Sequence, residues 1–170
     1  MKKRIFIFMK DLFSLLFICI LFSCNSSAQK NNESGKTESF KITKTESEWK
    51  AQLSELQFYV LREEGTERPF SSDLNKNYEE GVYLCVACDT PLFDSSTKFD
   101  SGTGWPSFDQ EIKGNVAFST DYNIGYARTE EHCATCGGHL GHVFNDGPKD
   151  TTGKRHCING AALKFVPKND

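Results

Sequence analysis

The sequence predicts a mainly β protein with antiparallel sheets, one helix near the N-terminus and a structural zinc ion. Strand-like segments separated by turns rich in Gly, Pro, Asp and Ser predict the β-structure. Two Cys-x-x-Cys pairs, Cys85/Cys88 and Cys133/Cys136, predict the metal site. The predicted strands cover residues 81–86, 115–118, 124–128, 140–144 and 156–165.

Length and charge limit the possible functions. The chain has 170 residues, of which 38% are apolar, and this suits one folded domain of roughly 120–130 residues. Beyond residues 1–23 there are 16 basic and 22 acidic side chains, which gives a net charge of −6. An acidic domain is a poor partner for nucleic acid, and a monomer is expected.

The first 23 residues predict an export signal. Lys2, Lys3 and Arg4 precede an apolar run over residues 12–22, which is shorter than the ~20 residues of a membrane-spanning helix. The run ends just before Cys24, as in a bacterial lipoprotein signal, which predicts a lipid anchor on Cys24. Simple cleavage after the following Ser-Ser-Ala and an uncleaved anchor are the alternatives. In each case the domain would work outside the cytoplasm, and the periplasmic face of a membrane fits best.

A tether and one domain follow the signal. Residues 24–44 are mostly polar and show no apolar period, so they predict a flexible tether. The domain is predicted over residues 45–168. Thr45 and Glu48 have the spacing of a capping box ahead of apolar residues at helical spacing. A single packing helix is therefore predicted over residues 46–58.

Four cysteine thiolates suit a closed, tetrahedral zinc site. The pairs are Cys85/Cys88 and Cys133/Cys136, and a two-residue gap lets both sulfurs of a pair point at one ion. Because all four ligands are thiolates, no coordination site stays open, and the ion would tie two distant segments together. A redox-active Cys-x-x-Cys is the competing interpretation. Two matching pairs without a βαβ pattern disfavour it.

Cys157 stands apart from these pairs, with Arg155 and Asn159 two residues to either side. If this segment is a strand, alternation places the three side chains on one face. A guanidinium beside a sulfur lowers the pKa of the thiol and raises its thiolate fraction. Asn159 could orient a polar substrate group or steady the local network. The plain alternative is a buried, inert cysteine.

Two other segments strengthen the enzymatic interpretation. One holds His139, His142 and Asp146. In a strand the two histidines would face opposite sides, so one could reach the thiol while the other is structural. The second segment, residues 99–108, presents Trp105 between a glycine and a proline, although ordinary core packing is its default interpretation.

Five segments together resemble the peptide methionine-R-sulfoxide reductases of the B type. In the family's order they are GTERPF at residues 65–70, GVYLCVAC at 81–88, SGTGWPSF at 101–108, HLGHVF with DGP at 139–148, and RHCIN at 155–159. The resemblance covers about residues 47–166. It implies a fold of two antiparallel sheets with a structural zinc ion.

The resemblance also implies the chemistry. Cys157 would attack the sulfoxide sulfur and become a sulfenic acid, while methionine is released. His142 would supply the proton for the leaving oxygen, with help from a hydrogen bond of Asp146. Arg155 and Asn159 would shape and polarise the site. Oxidised proteins and peptides would be the substrates.

Substrate contacts and recycling follow from the same resemblance. Trp105, Thr66 and His139 would bind the substrate. Thr103 stands where many relatives have a resolving cysteine, and the seven cysteines are all otherwise assigned: Cys19 to the signal, Cys24 to the lipid, four to zinc and one to the attack. We therefore expect an external thiol, such as a thioredoxin-like protein, to attack the sulfenic acid directly.

Two further departures concern polarity. His156 replaces the aromatic residue usual before the nucleophile, where it either tunes the local charge or is exposed. Residues 128–133 contain an acid and a histidine in place of the family's more usual apolar and basic residues. Only a surface effect is expected from them.

Two alternatives from other functional classes stay open at this point. A thiol–disulfide oxidoreductase would use the Cys-x-x-Cys pairs as redox centres, and stoichiometric zinc would argue against it. A non-catalytic, zinc-stabilised lipoprotein would present a binding surface. In that protein Cys157 would react with alkylating probes no faster than a model thiol.

Overall fold

A computed structural model of the chain describes residues 39–169, and it confirms the mainly β fold with two antiparallel sheets. Two helices, α1 (Glu46–Gln52) and α2 (Glu55–Glu63), precede the strands. The strands are β1 Gly81–Cys85, β2 Pro91–Asp94, β3 Lys98–Phe99, β4 Ser107–Phe108, β5 Val116–Asp121, β6 Arg128–Cys133, β7 His139–Phe144, β8 Arg155–Ile158 and β9 Leu163–Pro167.

The two sheets enclose an aromatic core. The small sheet has the order β2-β1-β9 and the large sheet the order β3-β4-β8-β7-β6-β5. Phe93 of the small sheet stacks on Phe108 of the large one at 4.4 Å between ring centroids, and Tyr83 meets Phe108 edge-on at 4.9 Å. All three are fully buried. These rings join the sheets through apolar burial, which is the dominant favourable contribution to folding.

The single helix predicted over residues 46–58 is wrong, because two helices occupy this region. Leu53 is extended, with φ −101° and ψ 147°, and ends α1. The Ser54 hydroxyl then accepts a hydrogen bond from Gln57 N, and the Gln57 side chain accepts one from Ser54 N. This second capping box starts α2 and overrides the apolar spacing that suggested one continuous helix.

Two strand predictions also need correction, and several strands were not predicted. Residues 124–127 lie in the hairpin turn between β5 and β6, and only Arg128 of this segment is in a strand. Asp121 Oδ1 accepts a hydrogen bond from Asn123 N at 2.6 Å, and Gly125 turns the chain with φ 87°. The segment 156–165 is interrupted by a 3-10 turn at Gly160–Ala162. Strands β2, β3, β4 and most of β6 were not predicted; β6 has the polar sequence RTEEHC, which lacks an apolar alternation.

The chain already contacts the domain before the predicted boundary at residue 45. Ile42 N donates to Thr135 O at 3.0 Å, and the Phe40 ring meets the His132 ring edge-on at 5.8 Å. Within residues 39–169 no helix is both long enough and apolar enough to cross a membrane. The export signal, Cys24 and most of the predicted tether lie outside the described residues.

Candidate active site and metal centre

The four cysteines of the two pairs converge on one point. All four sulfurs lie within 4.8 Å of one another; Cys85 and Cys136 are separated by 3.8 Å, and Cys88 and Cys133 by 3.5 Å. A tetrahedral zinc ion with Zn–S bonds of about 2.3 Å needs sulfurs about 3.8 Å apart. The donor set and its spacing therefore fit zinc, which when bound would cross-link the end of β1 to the end of β6.

The same turn presents each cysteine pair. Asp89 and Gly137 each lie four residues after the first cysteine of a pair, and both have left-handed φ, 57° and 68°. Their N–H groups donate to Cys85 O at 2.9 Å and to Cys133 O at 2.8 Å. Each turn curls the chain so that both sulfurs of a pair face inward.

Arg62 connects helix α2 to this centre. One guanidinium nitrogen lies 3.4 Å from Cys136 Sγ and 3.1 Å from Cys136 O, and the guanidinium stacks on the Trp49 ring at 4.3 Å. Four thiolates around one divalent ion carry a net charge of −2, which an adjacent guanidinium partly offsets.

Cys157 faces a separate cavity of about 140 Å³. Its strand β8 runs between β7 and β4, so Cys157 pairs in register with His142 on one side and Ser107 on the other. The residues lining the cavity are Thr66, Trp105, Arg128, Gly141, His142, Phe144, Cys157 and Asn159. Of the predicted site residues, Thr66, Trp105, His142 and Asn159 thus lie around the thiol.

Burial has the largest effect on the pKa of the Cys157 thiol. It raises the pKa of Cys157 above the usual value, although Arg155 and Thr103 act in the opposite direction. Thr103 Oγ1 lies 4.0 Å from the sulfur. Arg155 lowers the pKa of the thiol, as predicted, but the loss of solvation is the larger effect and the net shift is upward.

Arg155 forms a bidentate ion pair with Asp146. Nε donates to Oδ1 and an Nη nitrogen to Oδ2, both at 2.9 Å, and the guanidinium stacks on Phe144 at 4.5 Å. Asp146 was expected to support His142. That expectation is wrong, because the carboxylate is directed at Arg155 and so fixes the orientation of this cation beside the thiol.

Asp121, at the end of β5, is the partner of His142. The distance from His142 Nε2 to Asp121 Oδ2 is 2.8 Å, and Arg128 donates to the same oxygen. The backbone hydrogen bond from Asn123, together with His142 and Arg128, lowers the pKa of Asp121 to about 2. Burial lowers the pKa of His142, against the effect of Asp121, so the ring is mainly neutral at neutral pH.

Strand alternation predicted that His139 and His142 face opposite sides of the sheet, and this prediction is wrong. The two rings meet edge-on with centroids 5.5 Å apart. An irregularity in the β6–β7 pairing, between Glu131 and His132, shifts the register and resets the alternation. His139 is 3% exposed, and its Nδ1 lies 2.7 Å from Glu130 Oε1.

Glu67 is a buried anchor that the sequence analysis did not single out. Its carboxylate accepts hydrogen bonds from Gly160 N at 2.6 Å and Ala161 N at 2.8 Å, while its carbonyl accepts one from Trp105 Nε1 at 3.2 Å. Asn159 Oδ1 accepts a hydrogen bond from Glu67 N at 2.9 Å, and Asn159 Nδ2 donates to Leu140 O. The amide of Asn159 is thus used to hold the scaffold around the cavity.

His156, next to the nucleophile in the chain, contacts Glu131 of the segment 128–133. His156 is 3% exposed and Glu131 is 0% exposed. His156 Nδ1 lies 2.5 Å from Glu131 Oε1, and its Nε2 lies 3.5 Å from Glu111 Oε2. The exposed alternative for His156 is therefore wrong, as is the expectation of only a surface effect from residues 128–133.

These features define a class of protein: a β domain with a four-cysteine site that fits zinc and a separate thiol at an aromatic cavity. Residues 53–167 match the family model described as the SelR domain. Peptide methionine sulfoxide reductase B1 of Arabidopsis thaliana chloroplasts is 50% identical over 144 residues, which cover 84% of this chain and 71% of the relative. The corresponding MsrB proteins of Methylibium petroleiphilum and Agrobacterium fabrum are 51% and 52% identical over 75% of this chain and 93% and 94% of their own.

The chain belongs to the SelR domain family and is a peptide methionine sulfoxide reductase of the B type, a peptide-methionine (R)-S-oxide reductase. This membership supports methionine sulfoxide reduction over the two alternatives, a non-catalytic lipoprotein and a thiol–disulfide oxidoreductase. Among solved structures, the Mis18 Yippee-like domain is 15% identical with a TM-score of 0.44 over 54% of this chain, a likeness too weak to support an argument.

Proposed function

We propose that Cys157 is the nucleophile that reduces the R epimer of methionine sulfoxide in proteins and peptides. The position of the thiol in a cavity of about 140 Å³, between the apolar walls of Trp105 and Phe144, carries the proposal. This volume is smaller than the ~300 Å³ at which drug-sized ligand pockets begin. It suits one unbranched side chain, with the S-methyl group against the aromatic rings.

The thiol supplies two electrons to the sulfoxide. The Cys157 sulfur bonds to the sulfoxide sulfur, and the oxygen passes from that sulfur to the Cys157 sulfur, which becomes a sulfenic acid. The sulfur–sulfur bond breaks in the same process, and its electron pair goes to the methionine sulfur. Methionine leaves as the reduced product. The hydrogen count balances, because the proton of the thiol is retained on the oxygen.

His142 is suited to moving that proton. Burial holds Cys157 as a thiol and His142 as a neutral ring, so the ring can accept the thiol proton and return it to the departing oxygen. Asp121 would stabilise the imidazolium formed in between. Arg155 would stabilise the negative charge that develops in the cavity.

An external thiol would complete the cycle. Among residues 39–169 the five cysteines are the four of the metal centre and Cys157, so the described domain offers no resolving thiol. One external thiol would attack the sulfenic acid and release water, and a second would break the mixed disulfide to restore Cys157.

Export and lipidation at Cys24 are part of the proposal. They rest on the basic start, the short apolar run and the cysteine at its end. Expression in a bacterial host should give a membrane-associated protein that incorporates labelled palmitate. Cys24→Ala should remove the label and leave the reductase activity intact. An unlabelled, released protein would instead support cleavage after residue 28.

Separated epimers test the reaction itself. The zinc-loaded protein should reduce a methionine-R-sulfoxide peptide with dithiothreitol and leave the S epimer unchanged. Cys157→Ser should abolish turnover while zinc content and the unfolding transition stay as in the wild type. Turnover by the serine variant would remove Cys157 from the nucleophile's role, and turnover of both epimers would contradict the proposed handedness.

A further inference from the structure

A second cavity adjoins the catalytic one. It has a volume of about 250 Å³ and shares the residues Thr66, Arg128 and His142 with the cavity of Cys157. It lies between the end of α2 and the β5–β6 hairpin. Because the two cavities share these residues, the second lies within reach of a residue next to methionine sulfoxide in a bound peptide.

The rim of the second cavity is apolar and accessible. Tyr59 is 45% exposed, and Ile124 at the hairpin turn is 53% exposed. The Tyr59 ring packs directly on Gly65, where an added Cβ would lie only 2.3 Å from it. Two exposed apolar side chains in a cavity next to the catalytic one offer a surface for the aliphatic stem of a substrate side chain.

The charge of the lining selects among such side chains. Glu64, Asp121 and Glu130 line the second cavity, whereas Arg128 is its one permanent cation among the described residues. Asp121 and Glu130 are each held by hydrogen bonds within the protein. Glu64 is exposed, and among the described residues its carboxylate meets only Asn123 Nδ2, at 3.4 Å.

We propose that the second cavity is a subsite for a lysine or arginine residue next to the oxidised methionine, with its stem on Ile124 and Tyr59 and its cation at Glu64. The subsite rests on the proposed function and deepens it, because it would give this reductase a preference for basic sequence around the substrate. The net charge of −6 beyond residue 23 acts in the same direction.

Blocked tripeptides with central methionine-R-sulfoxide test the subsite. One peptide has glycine on both sides, and the others have a lysine or a glutamate on one side or the other. With dithiothreitol at low ionic strength, the wild type should show a kcat/KM for one lysine peptide up to about fivefold above its glutamate counterpart. Glu64→Gln should remove this preference, and 0.5 M salt should weaken it.

Glu63→Gln is the matched control. Glu63 is an exposed acid on the same helix end, but it does not line the second cavity. This variant should keep the wild-type preference. Ile124→Ser should lower kcat/KM for the lysine peptide and leave the glycine peptide unchanged.

The possible outcomes distinguish a failure of the proposed subsite from a failure of the proposed reaction. Equal kcat/KM for lysine and glutamate peptides, or an undiminished preference in Glu64→Gln, would overturn the subsite while turnover of the glycine peptide upholds the reaction. If no peptide is turned over, the glycine peptide included, the proposed reaction fails and the subsite with it.

Discussion

Glu131 Oε1 on β6 and His156 Nδ1 on β8 lie 2.5 Å apart in the core, and His156 immediately precedes the nucleophile. Both side chains are buried, and each carries a polar group that is costly to bury alone. Their contact offsets this cost, because each buried polar group satisfies the other. Burial raises the pKa of Glu131 against the opposing effect of His156.

This pair predicts strong energetic coupling. Glu131→Val should lower the free energy of unfolding by ~3 kcal/mol, because among the described residues it leaves the buried His156 with Glu111, at 3.5 Å, as its one acidic partner. His156→Tyr should cost a similar amount, because it isolates the Glu131 carboxylate. The double variant should recover most of the stability, since it replaces the buried polar pair with an apolar and an aromatic residue. Urea unfolding of the four zinc-loaded proteins measures the coupling.

An exposed ion pair provides the control cycle. Glu46 and Lys50 lie four residues apart on α1, with 71% and 54% of their side chains exposed. Their coupling, measured with Glu46→Gln and Lys50→Met, should stay below ~1 kcal/mol. Additive effects of Glu131→Val and His156→Tyr would contradict the buried pair.

The pKa of Cys157 predicts the pH dependence of its alkylation. Iodoacetamide reacts with the thiolate, so the rate should continue to rise beyond the ordinary thiol pKa of ~8.5. Arg155→Met should raise the pKa further and slow alkylation at pH 8, whereas Lys154→Met, on an exposed neighbour, should not. A wild-type pKa below ~8 would show that the guanidinium outweighs burial.

The same shift has a consequence for stability. Because the folded pKa of Cys157 lies above the unfolded one, its stabilising contribution is fully present below about pH 8.5. It is lost as pH rises through the folded pKa. Cys157→Ser lacks this contribution, so between about pH 8 and 10 it should lose less stability than the wild type. Comparison of the two proteins cancels the metal ligands, which are common to both.

Asp121, and not Asp146, is predicted to position His142. Asp121→Asn should lower kcat by at least about tenfold, because it removes the carboxylate that orients the ring and stabilises its protonated form. It should also lower the pKa of His142, so any limb of the pH–rate profile that reports His142 should move to lower pH. Asp146→Asn should leave that limb in place, because its partner is Arg155. A shifted limb in Asp146→Asn alone would support the pairing expected from the sequence.

The parts of the fold that were predicted from sequence depend on local spacing. The metal-binding pairs Cys85/Cys88 and Cys133/Cys136 could be predicted because each has a two-residue gap within one turn. The first capping box was predicted for the same reason, since Thr45 and Glu48 are three residues apart. The second was missed because the apolar period continues across Ser54.

The parts that were missed depend on contacts between distant residues. His142 and Asp121 are 21 residues apart and meet only because β5, β6 and β7 are adjacent in the large sheet. Nothing in the polar segment around Asp121 marks it as a partner of His142. Glu67 could have been predicted as a site residue, because it is a charged residue within GTERPF, one of the segments that carry the family resemblance.

The position of Thr103 is suited to the introduction of a resolving cysteine. Its Oγ1 lies 4.0 Å from Cys157 Sγ, on a loop whose neighbours Gly102 and Gly104 have φ of 70° and 94°. A disulfide needs sulfurs about 2.05 Å apart, so a cysteine at this position needs an approach of about 2 Å. After one turnover without reductant, Thr103→Cys should therefore contain an intramolecular disulfide to Cys157.

The wild type should behave differently in the same experiment. One equivalent of methionine should form, and Cys157 should be trapped by a sulfenic acid reagent such as dimedone, because no thiol of the described domain lies free to reach it. Thr103→Ser, which keeps the hydroxyl, should also trap dimedone and serves as the control. Peptide mapping distinguishes the two states by mass. An intramolecular disulfide at Cys157 in the wild type would contradict direct recycling by an external thiol, since it would require a sulfur from the metal centre or from the chain before residue 39.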